Sequence, residues 1–360
     1  MSAPLRPESC PFPTCPSSAR GATSPAKIVR HSLLRTRRGT TPRWRCKNCG
    51  RTFTANHGTA YHRLRSSPAH FDRAVHMSVE GVSQSATART QGISPATVRR
   101  WLERAARHAQ AFFEVLTCNV EPEELQADEV RGYIWDKESR QFVFAVIEVS
   151  SRLWLSREVG RRSKRNCRLL MRDARKRCKL HGPRVLIVTD PFKFYAPEIR
   201  KTWGNTCVHV ESGKIIRGNR VVRVRDRLVT GTPAQLEEAR ARCQDSKRLN
   251  TAYIERLNLV IRRSLSCMHR RTDSAAKNRT RLTEAIDLLR CYYNFIRQHG
   301  ALKFGREVRT PAQQAGLVTR RLSFRDIFMA FRPMARVPWI RDEMVRKAWM
   351  GRVACVGNNS

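Results

Sequence analysis

Arg184-Val-Leu-Ile-Val-Thr-Asp190-Pro191 is the stretch that decides the fold. A short, largely β-branched apolar run bounded by a charge and a proline reads as a strand buried inside a sheet. An acid at the end of such a strand marks the rim of an open α/β sheet, where ligands bind. Asp-Pro is also a common turn, so Asp190 needs partners before it counts as a site.

Working outward, Gln126–Trp135 and Gln141–Val149 are rich in β-formers, with a hairpin turn expected at Lys137–Arg140 and a further strand over Ser151–Val159. Glu121-Pro122-Glu123-Glu124 ahead of them reads as a linker, and the very basic Arg161–Lys179 as a helix. Downstream, Thr206–Val229 reads as a hairpin turning at Gly218-Asn219. Its Arg223 and Arg225 suit a strand laid along phosphates, although edge strands also carry charge for solubility. Gln235–Gln244 is helical. A long helix carries Leu282, Ile286, Leu289, Tyr293 and Ile296, and Thr310-Pro311 starts another.

Between these lies Asn250–Arg263; Leu249 just ahead of it and its own Tyr253, Leu257, Val260 and Ile261 recur at helical spacing. On a helix, Arg248, Thr251, Glu255, Asn258 and Arg262 form a stripe away from that apolar face. A polar stripe is ordinarily just a solvated face. Here two strand-borne aspartates, Asp128 and Asp190, precede a helix-borne glutamate, and that set suits phosphoryl transfer. Phosphodiester attack needs an activated oxygen nucleophile and a stabilised leaving oxygen, which two Mg²⁺ ions about 4 Å apart supply. Mg²⁺, or Mn²⁺ in its place, prefers a few carboxylates with water and phosphate completing the shell. The expected roles are Asp128 bridging both ions, Asp190 holding one and Glu255 the other. Arg262 would clamp a phosphate, and Asn258 would orient water or a substrate oxygen. Glu129 ranks behind Glu255, because alternation along a strand turns it to the face opposite Asp128.

Near the N-terminus, Cys10-Pro-Phe-Pro-Thr-Cys15 and Cys46-Lys-Asn-Cys49-Gly50 read as the two knuckles of a structural Zn²⁺ site. His57 and His62 are alternative ligands. The other cysteines are scattered singly and read as reduced small residues. Residues 68–107 read as a helix-turn-helix: Ala69–Glu80, Ser83–Gln91, a turn at Gly92, and a third helix opened by Ser94-Pro95. Val98, Trp101, Leu102 and Ala105 would face inward, leaving Arg99, Arg100, Arg104 and Arg107 to read a DNA groove. A plain three-helix bundle with a basic surface is the alternative.

Across all 360 residues, Lys+Arg 70 against Asp+Glu 30 gives a net charge of +40, spread from end to end. Such a chain attracts polyanions, and nucleic acid leads. No apolar run approaches a membrane span, and the Pro/Ser-rich start lacks a secretory core, so a cytoplasmic, nucleoid-associated location is expected.

Asp128-Glu129, Val188-Thr189-Asp190 and Tyr253-Ile-Glu255-Arg256-Leu-Asn258-Leu259, followed by Arg262 and Leu265, resemble the catalytic signature of bacterial insertion-sequence transposases of the DDE type. The resemblance runs from about Cys10 to about Leu317 and implies an α/β, ribonuclease-H-like mixed sheet flanked by helices. That core would follow a zinc ribbon (1–62) and a helix-turn-helix (68–115). The catalytic domain would span 122–317 with the basic hairpin as an insertion, leaving 318–360 as a basic C-terminal tail. The implied activity is cutting of double-stranded DNA at element ends and transfer of the 3′-OH ends to target DNA, by a homodimer or larger assembly. A structure-selective nuclease or resolvase, or a catalytically inactive DNA-binding regulator derived from such an enzyme, is the alternative.

Overall fold

The computed structural model describes residues 7, 9–12, 14–18, 25, 27–36, 39–180, 182–218, 220–243 and 249–330. The chain begins with β1 (Ile28–Thr36), β2 (Gly39–Cys46), β3 (Thr52–Thr54), α1 (Pro68–Val79), α2 (Gln84–Gln91) and α3 (Pro95–Leu116). It continues with β4 (Glu124–Ile134), β5 (Asp136–Glu148), β6 (Leu153–Gly160), α4 (Lys164–Arg177), β7 (Val185–Thr189), α5 (Tyr195–Trp203), β8 (Cys207–Arg217) and β9 (Arg220–Thr230). Helices α6 (Pro233–Arg242), α7 (Ala252–Ser264), α8 (Arg279–Phe295), α9 (Pro311–Gln314) and α10 (Phe324–Met329) follow. Two compact units result. One takes the described residues up to Asp72, Arg107–Leu116 and those from Leu322; the other takes Arg73–Ala106 and Thr117–Arg321. The division falls within α1 and within α3.

In the first unit, β1, β2 and β3 form an antiparallel sheet. Ile28, Trp44 and Phe53 pack with the buried Cys10, Cys15 and Cys46 into one small core. Separately, Tyr61, Phe71 and Phe328 meet edge to face, and the His108 ring bonds the Ile327 carbonyl at 3.0 Å. Residues 322–330 are therefore not tail. Ser323 and Asp326 close a capping box on α10, and the apolar Ile327 and Phe328 are fully buried. Residues 331–360, the rest of the expected tail, lie outside the described residues.

The second unit is α/β: a mixed six-stranded sheet, ordered β6-β5-β4-β7-β8-β9, flanked by helices. Strands β4, β5 and β6 are antiparallel neighbours, β4, β7 and β8 run parallel, and β9 returns antiparallel to β8. All five residues of β7 are buried, as a central parallel strand demands. Along the outer edge of β6, Asn294 of α8 covers the Trp154 backbone. Its Oδ1 accepts from the Trp154 N–H at 2.9 Å and its Nδ2 donates to the Trp154 carbonyl at 3.0 Å. Between β7 and β8 lies α5, a helix that the reading of the sequence did not place.

Two local expectations change. The segment Glu121–Glu124 is no linker, because β4 starts at Glu124, which is 2% exposed and accepts a hydrogen bond from Gln126. The hairpin turns at Trp135, in the left-handed region at φ 62°, rather than at Lys137–Arg140; Ile134 pairs directly with Asp136. The helices over 68–116 fall where expected. Ser83 caps α2 by accepting from the Ala86 N–H, worth about 1 kcal/mol, and Gly92 ends it at φ 63°, where a Cβ costs conformational energy.

Candidate functional site

The parallel pairing of β4 with β7 builds the site. Ala127 lies opposite Thr189, so Asp128 and Asp190 are each one residue beyond the last paired position. There β7 stops while β4 continues, opening a notch in the sheet. One oxygen from each of Asp128, Glu129 and Asp190 lies within 4.8 Å of the other two. Three hard, anionic oxygens this close suit a divalent cation after small side-chain adjustments.

Alternation along β4 holds, yet it does not remove Glu129 from the site. Gln126 and Asp128 meet α7, whereas Glu129 meets Tyr195 of α5. Both faces reach the notch because no strand fills it. Glu129 is in effect held from two sides: the Tyr195 hydroxyl donates to Oε2 at 3.0 Å, and Arg162 Nε lies 2.5 Å from Oε1. The same guanidinium places Nη2 3.5 Å from Asp190 Oδ2 and stacks over the Phe192 ring at 4.1 Å.

Burial and charge crowding together raise these carboxyls. Burial pushes the Asp128 carboxyl up to about 7, and the neighbouring Asp190, Glu129 and Glu255 add to it. Burial likewise raises Glu129 and Asp190, with Arg162 opposing in both cases.

Helix α7 docks on β4 through Ile254, Leu257 and Ile261, each nearly fully buried and worth about 1.5–3 kcal/mol. The polar stripe expected to face away is split by this packing. Asn258 is buried and donates from Nδ2 to Asp128 Oδ2 at 2.8 Å, so it holds a carboxylate of the site. Its Oδ1 is buried with no protein partner. Glu255 is exposed and stands outside the 4.8 Å set; the Thr251 hydroxyl donates to its Oε1 at 2.7 Å. Arg248 is outside the described residues. The start of α7 is fixed from β4: Gln126 Oε1 accepts from the Tyr253 N–H at 3.1 Å and the Ile254 N–H at 3.2 Å, while Thr251 makes no side-chain cap.

Arg262, two turns from Glu255, is half-buried. Its pKa is lowered by burial and then by the positive charges of Arg270 and Arg131. Arg223 and Arg225 are exposed on the part of the β8–β9 ribbon that runs on beyond β7, opposite Ile215 and Gly213. On α3, Val98, Trp101, Leu102 and Ala105 are buried, and Arg99, Arg100 and Arg107 are exposed. Arg104 departs from expectation. It is half-buried, and burial lowers its pKa.

The first unit holds a second set. Cys10, Cys15, Cys46 and Cys49 bring their sulfurs within 4.8 Å of one another, with Cys10–Cys49 at 3.6 Å and Cys15–Cys46 at 3.7 Å. A disulfide is far shorter, at about 2.05 Å. Tetrahedral zinc with bonds of about 2.3 Å puts its sulfurs about 3.8 Å apart, so the four thiols fit that ion. Gly50, at φ 70°, makes the turn after Cys49. His57 and His62 meet edge to face at 4.5 Å and are not members of the set. No described cysteine forms a disulfide.

Arg162, Tyr195 and Gln126 were not singled out from the sequence. One arginine among so many carries no local signal, and Gln126 acquires its role only from a helix more than a hundred residues away. Glu129, ranked second, could have been placed in the notch by noting that β4 outruns β7. No helix among the described residues is long and apolar enough to cross a membrane. Comparison with protein-family models and with curated proteins finds no match to this chain.

Proposed function

We propose that this chain is a metal-dependent DNA transposase of the DDE type, cutting phosphodiester bonds at mobile-element ends and joining the freed 3′-OH ends to target DNA. The observation that carries the reading is the convergence of Asp128 and Asp190 at the sheet notch, with α7 clamped onto Asp128 through Asn258. The strand order, with antiparallel strands on one side of β4 and parallel strands on the other, is compatible with a ribonuclease-H-like core.

When bound, Mg²⁺ or Mn²⁺ supplies the positive charge that activates the attacking oxygen and stabilises the leaving one. Asp128 and Asp190 would hold it. Glu255, one helical turn from Asn258 on the same helix, would complete the set. Asn258 keeps Asp128 Oδ2 aimed. Arg262, with Arg131 and Arg270, gathers a DNA phosphate: three mutually repelling guanidiniums are stabilised by a polyanion among them.

Recognition falls to the rest of the chain. The four cysteines hold structural Zn²⁺ in a ribbon, α1–α3 act as a helix-turn-helix whose Arg99, Arg100 and Arg107 meet the duplex, and Arg223 and Arg225 follow the backbone. Two ends must be joined, so the working form is a homodimer or larger assembly.

Asp128→Asn, Asp190→Asn and Glu255→Gln each lower metal-dependent cleavage and strand transfer at least about 10³-fold while a gel shift on element-end DNA persists. Any of the three cutting at the wild-type rate removes that residue from the site; loss of binding in all three would mean that the carboxylates serve the fold.

A further inference from the structure

Two glutamates compete for the third carboxylate position: Glu129, already inside the notch, and Glu255, outside the compact set. The choice between them rests on Asp128 and Asp190 being metal ligands, as proposed above. Both oxygens of Glu129 are engaged, Oε1 by Arg162 Nε and Oε2 by the Tyr195 hydroxyl. Its side chain is 3% exposed and Tyr195 is fully buried, so the bond between them is shielded from water. Arg162 is the reverse case, 42% exposed at its side chain although gripped at one end. Glu129 holds its Nε, the Phe192 ring supports its plane, and Nη2 faces Asp190. Phe192 is itself tied in, its N–H donating to Asp190 Oδ1 at 3.3 Å.

A guanidinium has five donors, and its fork matches two oxygens of a phosphate. Only Nε is committed to the buried carboxylate; Nη2 faces the partly exposed Asp190, and the side chain as a whole keeps contact with solvent. A fixed cation beside bound divalent ions is disfavoured unless an anion lies between them. In a nucleotidyl-transfer site the anion available is the phosphate being cut.

We propose that Arg162 is a catalytic residue that binds the non-bridging oxygens of the scissile DNA phosphate, and that Glu129 is its buried counter-ion and positioning residue, not a metal ligand. Glu255 is then the third metal carboxylate.

The test uses the full chain and two probes: Mn²⁺, with free ion followed by electron paramagnetic resonance, and supercoiled plasmid nicked in Mn²⁺. Glu129→Gln preserves shape and can keep the Tyr195 bond; Arg162→Lys keeps charge but loses the fork; near-ultraviolet circular dichroism checks the fold of each. In Glu129→Gln and Arg162→Ala, Mn²⁺ affinity stays within about threefold of wild type while the nicking rate at saturating plasmid falls about tenfold or more. The double variant is no slower than the slower single, because both changes remove one interaction. Arg162→Lys recovers part of the loss. Glu129→Gln weakening Mn²⁺ tenfold or more would make Glu129 a ligand and overturn the assignment. Arg162→Ala tightening Mn²⁺ tenfold or more would make Arg162 a cation that the metal displaces, which overturns it as well. Unchanged nicking in Arg162→Ala has the same force. Asp128→Asn and Asp190→Asn binding Mn²⁺ as wild type does would instead defeat the metal reading itself.

Discussion

The sulfur set of the first unit and the carboxylate notch of the second are opposite solutions to gathering like charges. The four cysteines come from two short-spaced pairs, are mostly buried, and pack into a small apolar core. The notch takes Asp128 and Glu129 from one strand and Asp190 from another, stays open to solvent, and already includes the Arg162 guanidinium. A closed soft-ligand set suits a structural ion, whereas an open hard-ligand set leaves positions for water and substrate. The first organises a small core that would otherwise have little to hold it. The second lowers local stability for the sake of chemistry.

The sharpest way to break this contrast is at Cys46. Cys46→Ser should release one equivalent of zinc by elemental analysis and cost several kcal/mol in the first unit, read as the loss of a thermal transition. Asp190→Asn should leave that zinc in place. Retention of zinc and an unchanged melt in Cys46→Ser would remove the structural-ion side of the comparison.

A smaller effect is expected at Gln126, which sharpens how the open site is aimed. Gln126→Leu removes the bonds to the Tyr253 and Ile254 N–H groups and to Glu124 Oε1, and should destabilise the second unit by about 2–4 kcal/mol. Urea unfolding measures it. A cost under about 0.5 kcal/mol would mean that α7 is positioned by its apolar face alone.

The smallest change has the opposite sign. The Asp128 carboxyl titrates higher in the fold, at about 7, than in the unfolded chain, near 3.9. The folded state therefore binds the proton more tightly, and the stability this confers is full below about pH 4 and lost as pH rises to about 7. At pH 8 without metal, Asp128→Asn should thus stabilise the second unit by about 1–3 kcal/mol, the advantage vanishing toward pH 4. Urea melts at the two pH values decide it; a destabilised Asp128→Asn at pH 8 would show that the crowding is compensated.

Much of the fold was legible because it is local. The five-residue β7 run, the hairpin at Gly218, the Ser83 and Gly92 caps and the Cys pairs all follow from spacing and residue type. Errors arose where distant contacts override local signals. Glu124 looked like linker but starts a buried strand, Arg104 looked like a surface residue, and residues 322–330 looked like tail but carry the buried Phe328. At the site, Asp128, Asp190 and Asn258 were found by pattern, and Glu129 was ranked second, but Arg162, Tyr195 and Gln126 were not found.

What the amino-acid order by itself determined is the presence of two metal-capable residue sets, the strands and helices that bear them, and a charge suited to a polyanion. Hydrophobic period, capping and cysteine spacing are properties of neighbouring residues, so they can be read along the chain. Only the tertiary structure decided that Glu129 and Arg162 join Asp128 and Asp190 while Glu255 stands off, and that Asn258 and Gln126 anchor α7. Those contacts depend on where β7 ends beside β4 and how α7 lies across it. Pairing register and packing between distant segments are set by the whole fold, and no single stretch encodes them.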